Sequence, residues 1–439
     1  MTQNTGNEQL AVFDGPKTVT ADAPNWPFFS DEEIEAVNAC LEHSREDWKY
    51  ACSAAGGGPA EELEGIFADY LGREFTVSTC GGGPALHIAC MAAGIGLGDE
   101  VITTPYSWGQ TTSCILQAGG IPIFGDIDPR TLTLDPDSIE EQITDATKAI
   151  VLVHIFGVPA DMDRIMEVAR CHDLKVIEDC AQAQGSRYKG DLVGTHADIS
   201  CFSIGSGKNL AVGEGGMIAT DDRQLYEKCL LTGMHPGRTG GEIQDPDLKK
   251  RIDSLIYTYR IGTFSAALAC RQMERLEEMN RWRRRNAARL REEIEQMPGI
   301  RPLDLPDGHD PAYHMIPWTF VPEEVPGVSR TQYIRALAAE GVPIGGSYVG
   351  TPIHLRRTFQ KKEWWLGGGY PWAASERTQE ITYHEGDCPV AERRCAELDL
   401  RIGGGTWWKD VTPLIEQIGQ AFRKVTGQIE RVKETGQSE

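Results

Sequence analysis

None of the twelve cysteines, from Cys40 to Cys395, stands in a C-x-x-C pair, and no spacing frames a disulfide scaffold or a zinc site. The expectation is a reduced, cytoplasmic chain whose cysteines act mostly as small buried apolar residues. An excess of basic charge is also missing: 43 Lys and Arg face 65 Asp and Glu, a formal charge of −22. Nucleic acid is thereby excluded as a main partner, because phosphate binding needs a basic face. No apolar run reaches about 18 residues, so no membrane span is expected. The opening MTQNTGNEQLAVFDGP has neither a basic segment nor an apolar one, and predicts no secretory signal. Repeats of 20–50 residues are absent as well.

What is present is rhythm. Short apolar or β-branched runs fall at 75–79, 101–104, 121–124, 149–155, 175–178, 199–203 and 217–220, with helical patterns between them such as 85–93 and 162–172. Strand alternating with helix predicts an α/β fold around a mostly parallel sheet covered on both faces. Continuous runs such as AIVLVHI suit strands buried on both sides. After about residue 222 the pattern changes to one long helix, 265–296, and then to a stretch richer in Pro, Gly and Trp, with six of the ten tryptophans beyond residue 297. The division expected is an N-terminal arm (1–30), a large domain (31–280) and a small α+β domain (281–439), joined through that helix. The first 25 residues and the last dozen read as frayed.

Four segments could carry chemistry. Lys208 follows Gly205-Ser206-Gly207, but the P-loop pattern fails, since Phe202 stands where its first glycine belongs and Asn209 follows the lysine. Nor does G-x-G-x-G at 94–98 open a helix as a dinucleotide turn would. A desolvated lysine in a tight turn at a sheet edge has a lowered pKa and can bond to an aldehyde, whereas a solvated one does nothing. Glu178-Asp179-Cys180-Ala181-Gln182 ends a strand in an acid, which could bind a metal, serve as a base, pair with a protonated ring nitrogen or cap a following helix. No metal is expected there, for want of His and Cys at ligand spacing. Gly81-Gly82-Gly83 precedes a helix with Pro84 in its first turn, a place where free N–H groups and the helix end favour an anion. Pro105-Tyr106-Ser107-Trp108 follows a strand with aromatics able to stack on a flat ring or to fill the core. Phosphate cradle, ring stack, carboxylate and lysine together are what pyridoxal 5′-phosphate needs.

At these residues the sequence resembles the DegT/DnrJ/EryC1/StrS aminotransferases of keto-sugars and keto-cyclitols, from about residue 29 to 397. The resemblance is carried by Glu178-Asp179-Cys180-Ala181-Gln182-Ala183, Phe202-Ser203 with Lys208 five residues on, and Gly213-Glu214-Gly215-Gly216. It implies the fold of type I pyridoxal phosphate transferases, with a large, mostly parallel seven-stranded sheet, and a homodimer with shared active sites. It further implies that Lys208 bonds the cofactor, that Asp179 partners its ring nitrogen, that Gln182 lies near the ring hydroxyl and that Trp108 stacks on the ring. Ser203, Gly82 and Gly83 would meet the phosphate, and Tyr259-Arg260 would reach the neighbour's site. His235 and Arg238, in the loop after the Gly-rich turn, could meet donor or acceptor, or as surface-loop residues do neither.

Two departures stand out: Gly82-Gly83 replaces the family's usual Gly-Thr, and Trp364-Trp365 and Trp407-Trp408 have no place in its pattern. The implied reaction moves an amino group from L-glutamine or L-glutamate to a keto-cyclitol or keto-sugar in natural-product, antibiotic-type biosynthesis. The alternative is elimination, decarboxylation or oxidation at an amino-acid carbon. A non-catalytic scaffold is a third possibility.

Overall fold

The computed structural model describes residues 9–52, 55–365 and 367–436. The predicted arm and small domain also include 1–8 and 437–439, which lie outside the described residues.

All seven predicted strands form, within two residues of their expected bounds. They make one sheet in the order Phe75–Thr79, Gly216–Thr220, Ile199–Ser203, Lys175–Asp179, Thr147–Val153, Glu100–Thr103, Ile121–Phe124. Gly216–Thr220 runs antiparallel to both its neighbours, and the other adjacent pairs are parallel. Strand geometry then sorts the apolar runs by face. Ala149 and Val151 pack with the helix Gly82–Ala92, while Ile150 and Leu152 pack with the helix Met162–Cys171. Both faces are dry, which is why these strands read as unbroken hydrophobic runs.

The long helix spans Thr263–Ile294. Its first half packs under the sheet, with Ala266, Cys270 and Leu276 against Phe202 and Met217. Its second half enters another core, where Leu290 and Ile294 meet Trp318, Tyr333 and Phe422. That core covers an antiparallel sheet in the order Ile300–Pro302, Met315–Phe320, Asp399–Gly404, Ile344–Gly345. No helix among the described residues is long and apolar enough to cross a membrane.

The expectation of frayed ends does not hold for the described residues. Leu10 and Val19 are buried in the second core, and Val432 near the other end is buried there too. The cause is a buried charge. Glu340 is fully enclosed and pairs with Lys424 at 2.9 Å. Its carboxylate also accepts from the Ala11 and Thr18 N–H groups and from the Thr18 hydroxyl at 2.7 Å. An ion pair taken out of water needs its remaining lone pairs filled, and the arm fills them. A hydropathy pattern does not show such a tie. The cysteines follow expectation: all those described are free, and most are buried, with Cys171 exposed and Cys80 half-buried.

Candidate active site

Parallel strands that end together leave their carboxyl ends facing one crevice. Lys175–Asp179 delivers Asp179 there, and Ile199–Ser203 delivers Ser203 with the turn that carries Lys208. The helix Gly82–Ala92 points its N-terminus at the same crevice. The result is a cavity of about 360 Å³ lined by Gly82, Trp108, Asp179, Gln182, Ser203 and Lys208, together with Ser107, Gln110, Thr111, Glu214 and Tyr348.

Asp179 is 3% exposed. Its Oδ2 accepts from the Thr111 hydroxyl at 2.7 Å and its Oδ1 from the Ala181 N–H at 3.0 Å. Burial pushes its pKa up, while Thr111, Ala181 and the Lys208 charge pull the other way. No helix follows Asp179, only a turn, so the capping alternative is overturned. Lys208 is half-buried, and burial pushes its amine pKa down against the opposing pull of Asp179. Nothing among the described residues hydrogen-bonds its Nζ. A carboxylate and an amine that share one cavity and have shed most of their water are primed for a reacting group.

Ser203 and Gly82 touch so closely that a Cβ on Gly82 would lie 2.6 Å from Ser203 Cβ. Only glycine lets the helix start abut the strand end there. The first N–H groups of a helix have no partner within it, so this end offers donors beside the Ser203 hydroxyl. Gly83 does not line the cavity; a Cβ on it would sit 2.9 Å from Gln110 Nε2 instead. Gln182 is held on both sides, its Oε1 accepting from the Phe156 N–H at 2.8 Å and its Nε2 donating to the Tyr348 hydroxyl at 3.3 Å. Trp108 stands at the mouth, 58% exposed, its ring 6.3 Å from that of Tyr348.

Behind the cavity, Glu178 lies within metal-ligand range of His154 and Cys180. Its oxygens are occupied, however. They accept from His154 Nε2 at 3.0 Å and from the N–H groups of Gly194, His196 and Ala197 at 2.6, 3.0 and 2.8 Å. Burial alone would raise its pKa, but His154, His196 and the Ala197 N–H bring it down to about 2.

Three sequence-selected residues lie away from this cavity. Arg238 is tied to Glu64 and Glu242, each at 2.8 Å. His235 is exposed and caps its own short helix, with Nδ1 accepting from the Gly237 N–H at 3.0 Å. Neither lines the cavity, so the expectation that they meet substrate finds no support within one chain. Arg260 lies beside Thr79 in an isolated bridge and lines a separate small pocket with Arg238 and Ser78. Thr111, Gln110, Glu214 and Tyr348 also line the cavity, and Glu214 lies in the Gly213-Glu214-Gly215-Gly216 motif, which is the signal that points to it. Tyr348 comes from far along the chain with no motif around it.

The residues present fit pyridoxal 5′-phosphate. Anion donors at Gly82 and Ser203, a buried carboxylate with no cation hydrogen-bonded to it, and a desolvated amine lie around a cavity of ligand size.

Comparison with known proteins agrees. The model of the DegT/DnrJ/EryC1/StrS aminotransferase family matches residues 30–385. An L-glutamine:2-deoxy-scyllo-inosose aminotransferase of Streptoalloteichus tenebrarius is 33% identical over 405 residues, 89% of this chain and 91% of the relative. Among solved structures, an aminotransferase from Psychrobacter cryohalolentis superposes with a TM-score of 0.78 at 28% identity, covering 93% of this chain and all of the other. The NtdA protein of Bacillus subtilis, solved with PMP bound as cofactor, gives 0.72 at 25% identity, covering 92% and 86%.

Proposed function

This chain belongs to the DegT/DnrJ/EryC1/StrS aminotransferase family of pyridoxal phosphate-dependent transferases, and on that premise we propose that it moves an amino group from L-glutamine to a keto-cyclitol. L-Glutamate and keto-sugars are the neighbouring choices. The observation that carries the reading is the shared cavity of Lys208 and Asp179 at the helix N-terminus; the likeness to a glutamine-dependent cyclitol aminotransferase over most of both chains supports the substrate class. The relatives named are aminotransferases, which leaves the elimination, decarboxylation and oxidation alternative, and the scaffold, without support.

When bound, the cofactor supplies an electron sink for the carbanion left when the donor's α C–H bond breaks. Asp179 would hold the proton on the ring nitrogen and so keep that sink open. Gly82 and Ser203 would hold the phosphate, Gln182 would meet the ring hydroxyl, and Trp108 at the mouth would cover the ring and keep water out. Burial pushes the Lys208 amine pKa down against the pull of Asp179; this side chain would hold the cofactor's aldehyde and, once the donor's amine has displaced it, its free Nζ would take the proton from the donor's α carbon and return it. The same residue would move the protons of the ketone half in the opposite direction.

The reading extends to the assembly. Two copies would pair so that Tyr259-Arg260 of each reaches the other's cavity, which is why Arg260 lies outside its own. Leu255, 91% exposed, and the exposed Tyr257 on the same segment support this. The arm, large and small divisions drawn from the sequence suit the two cores, and a reduced cytoplasmic setting suits the free cysteines.

Adding pyridoxal phosphate should give the wild type a visible absorption band that L-glutamine bleaches and a keto-cyclitol such as scyllo-inosose restores. Lys208→Ala should give no such band and no turnover, yet still bind pyridoxamine phosphate. A wild-type protein with no band, or one that no amino donor bleaches, overturns the reading.

A further inference from the structure

The turn that carries Lys208 is built from glycines: Gly205, Gly207 and Gly213 surround it. Such a backbone has little stiffness of its own. A four-carbon side chain places its amine only as well as its Cα is placed, so something outside the turn must hold it.

Two side chains do. Trp26 Nε1 donates to the carbonyl of Lys208 itself at 2.8 Å. Arg283, on the long helix, donates to the next carbonyl, that of Asn209, at 3.4 Å, and to Gly405 O at 3.1 Å and Asn280 Oδ1 at 2.8 Å. Arg283 is 1% exposed, and none of its hydrogen-bond partners is a carboxylate. Burial brings its pKa down to about 9. An ion kept in the interior without a counter-ion is costly, and a neutral side chain would fill the space at lower cost. What Arg283 provides is a rigid fork that spans three separate segments at once. Its guanidinium also lies 4.9 Å from the Trp26 ring.

The clasp continues outward through Trp408. Its ring stacks on Phe28 at 4.9 Å and lies 6.3 Å from Trp26, and its Nε1 donates to Asn25 O at 3.0 Å. The loop that bears it meets the lysine turn directly, since a Cβ on Gly405 would lie 3.5 Å from Asn209 Oδ1 and 3.8 Å from Gly207 O. Arm and long helix thus converge on two consecutive carbonyls, and this loop packs beside them.

We propose that Trp26 and Arg283 are positioning residues for Lys208, and that Trp408 seats the arm that brings Trp26 to it. The proposal rests on Lys208 being the lysine that bonds the cofactor. Trp26→Phe keeps the ring against Arg283 and Trp408 but cannot donate to Lys208. Mixed with pyridoxal phosphate, the apoenzyme of this variant should develop its visible band about tenfold more slowly than wild type, with kcat down by a similar factor and the donor KM unchanged. Its affinity for pyridoxamine phosphate, which needs no bond to lysine, should equal that of wild type. Trp408→Ala should slow band formation in the same direction, and it alone decides the matter if Trp26→Phe does not fold by circular dichroism. Band formation at the wild-type rate in the folded variants overturns the proposal. So does a loss of pyridoxamine phosphate affinity in parallel, which would mark general damage to the cavity. Absence of the band in wild type is a different failure, that of Lys208's assignment, and it shows before any arm variant is made.

Discussion

At the scale of single residues, the site depends on what burial does to charge. Asp179 and Glu178 are neighbours on one strand with opposite fates. Asp179 has two hydrogen bonds and a raised pKa; Glu178 has five donors, the Cys180 thiol among them, and a pKa of about 2. The first is left poised for a cation, and the second is spent on structure, pinning the 194–197 turn and His154 behind the cavity. Because the folded pKa of Glu178 lies below its ordinary value of 4.5, its stabilisation is fully present above pH 4.5 and is lost as the pH falls toward 2. Glu178→Gln should therefore cost on the order of 3 kcal/mol at neutral pH and flatten the fall in stability between those limits. Urea denaturation at a series of pH values checks both; an unchanged acid limb would show that Glu178 is not the group responsible.

At the scale of elements, the loop bearing Trp108 is held from the far side of the molecule. The Tyr106 hydroxyl donates to Asp399 Oδ2 at 2.7 Å, while Arg394 Nε donates to the other oxygen at 2.7 Å. All three side chains are buried. One buried carboxylate thus ties the rim of the cavity to the strand Asp399–Gly404 of the second sheet. Tyr106→Phe removes one bond and leaves the ion pair, so it should cost about 1 kcal/mol. Asp399→Ala strands Arg394 in the interior and should cost about 3–5 kcal/mol. Equal losses in denaturant melts would mean that the carboxylate is not the link. The loop was recognisable from Pro105-Tyr106-Ser107-Trp108, of which Ser107 and Trp108 line the cavity while Tyr106 serves as the anchor.

At the scale of the whole molecule, the proposed pairing builds each site from two chains. If each Arg260 serves its neighbour's cavity, then Lys208→Ala and Arg260→Ala should each be inactive alone. Mixed and allowed to exchange, they should recover about a quarter of wild-type activity, since half the dimers are mixed and each holds one complete site. No recovery, in a mixture shown by mass spectrometry to contain mixed dimers, would place Arg260 within its own chain's site or outside either.

The order of strands and helices was legible because burial on both faces writes continuous apolar runs, and glycine, carboxylate and lysine were legible because few other residue types can do their work at a strand end. Asp179 and Ser203 end two neighbouring parallel strands, and Gln182 and Lys208 lie in the turns that follow them, so the α/β rhythm that places the strands places all four. Contacts between distant segments were not legible. Tyr348 reaches Gln182 across 166 positions, Trp26 reaches Lys208 across 182, and Glu340 holds an arm 322 positions away. Such pairs leave no period and no local motif, because either partner taken alone reads as an ordinary polar or aromatic residue. The sequence by itself determined the cofactor chemistry and the sheet that presents it. Which carboxylate is free to react, which arginine is tied up in ion pairs, and what holds the lysine's backbone were decided only by the tertiary structure, because desolvation and long-range hydrogen bonds exist only once the chain has closed around them.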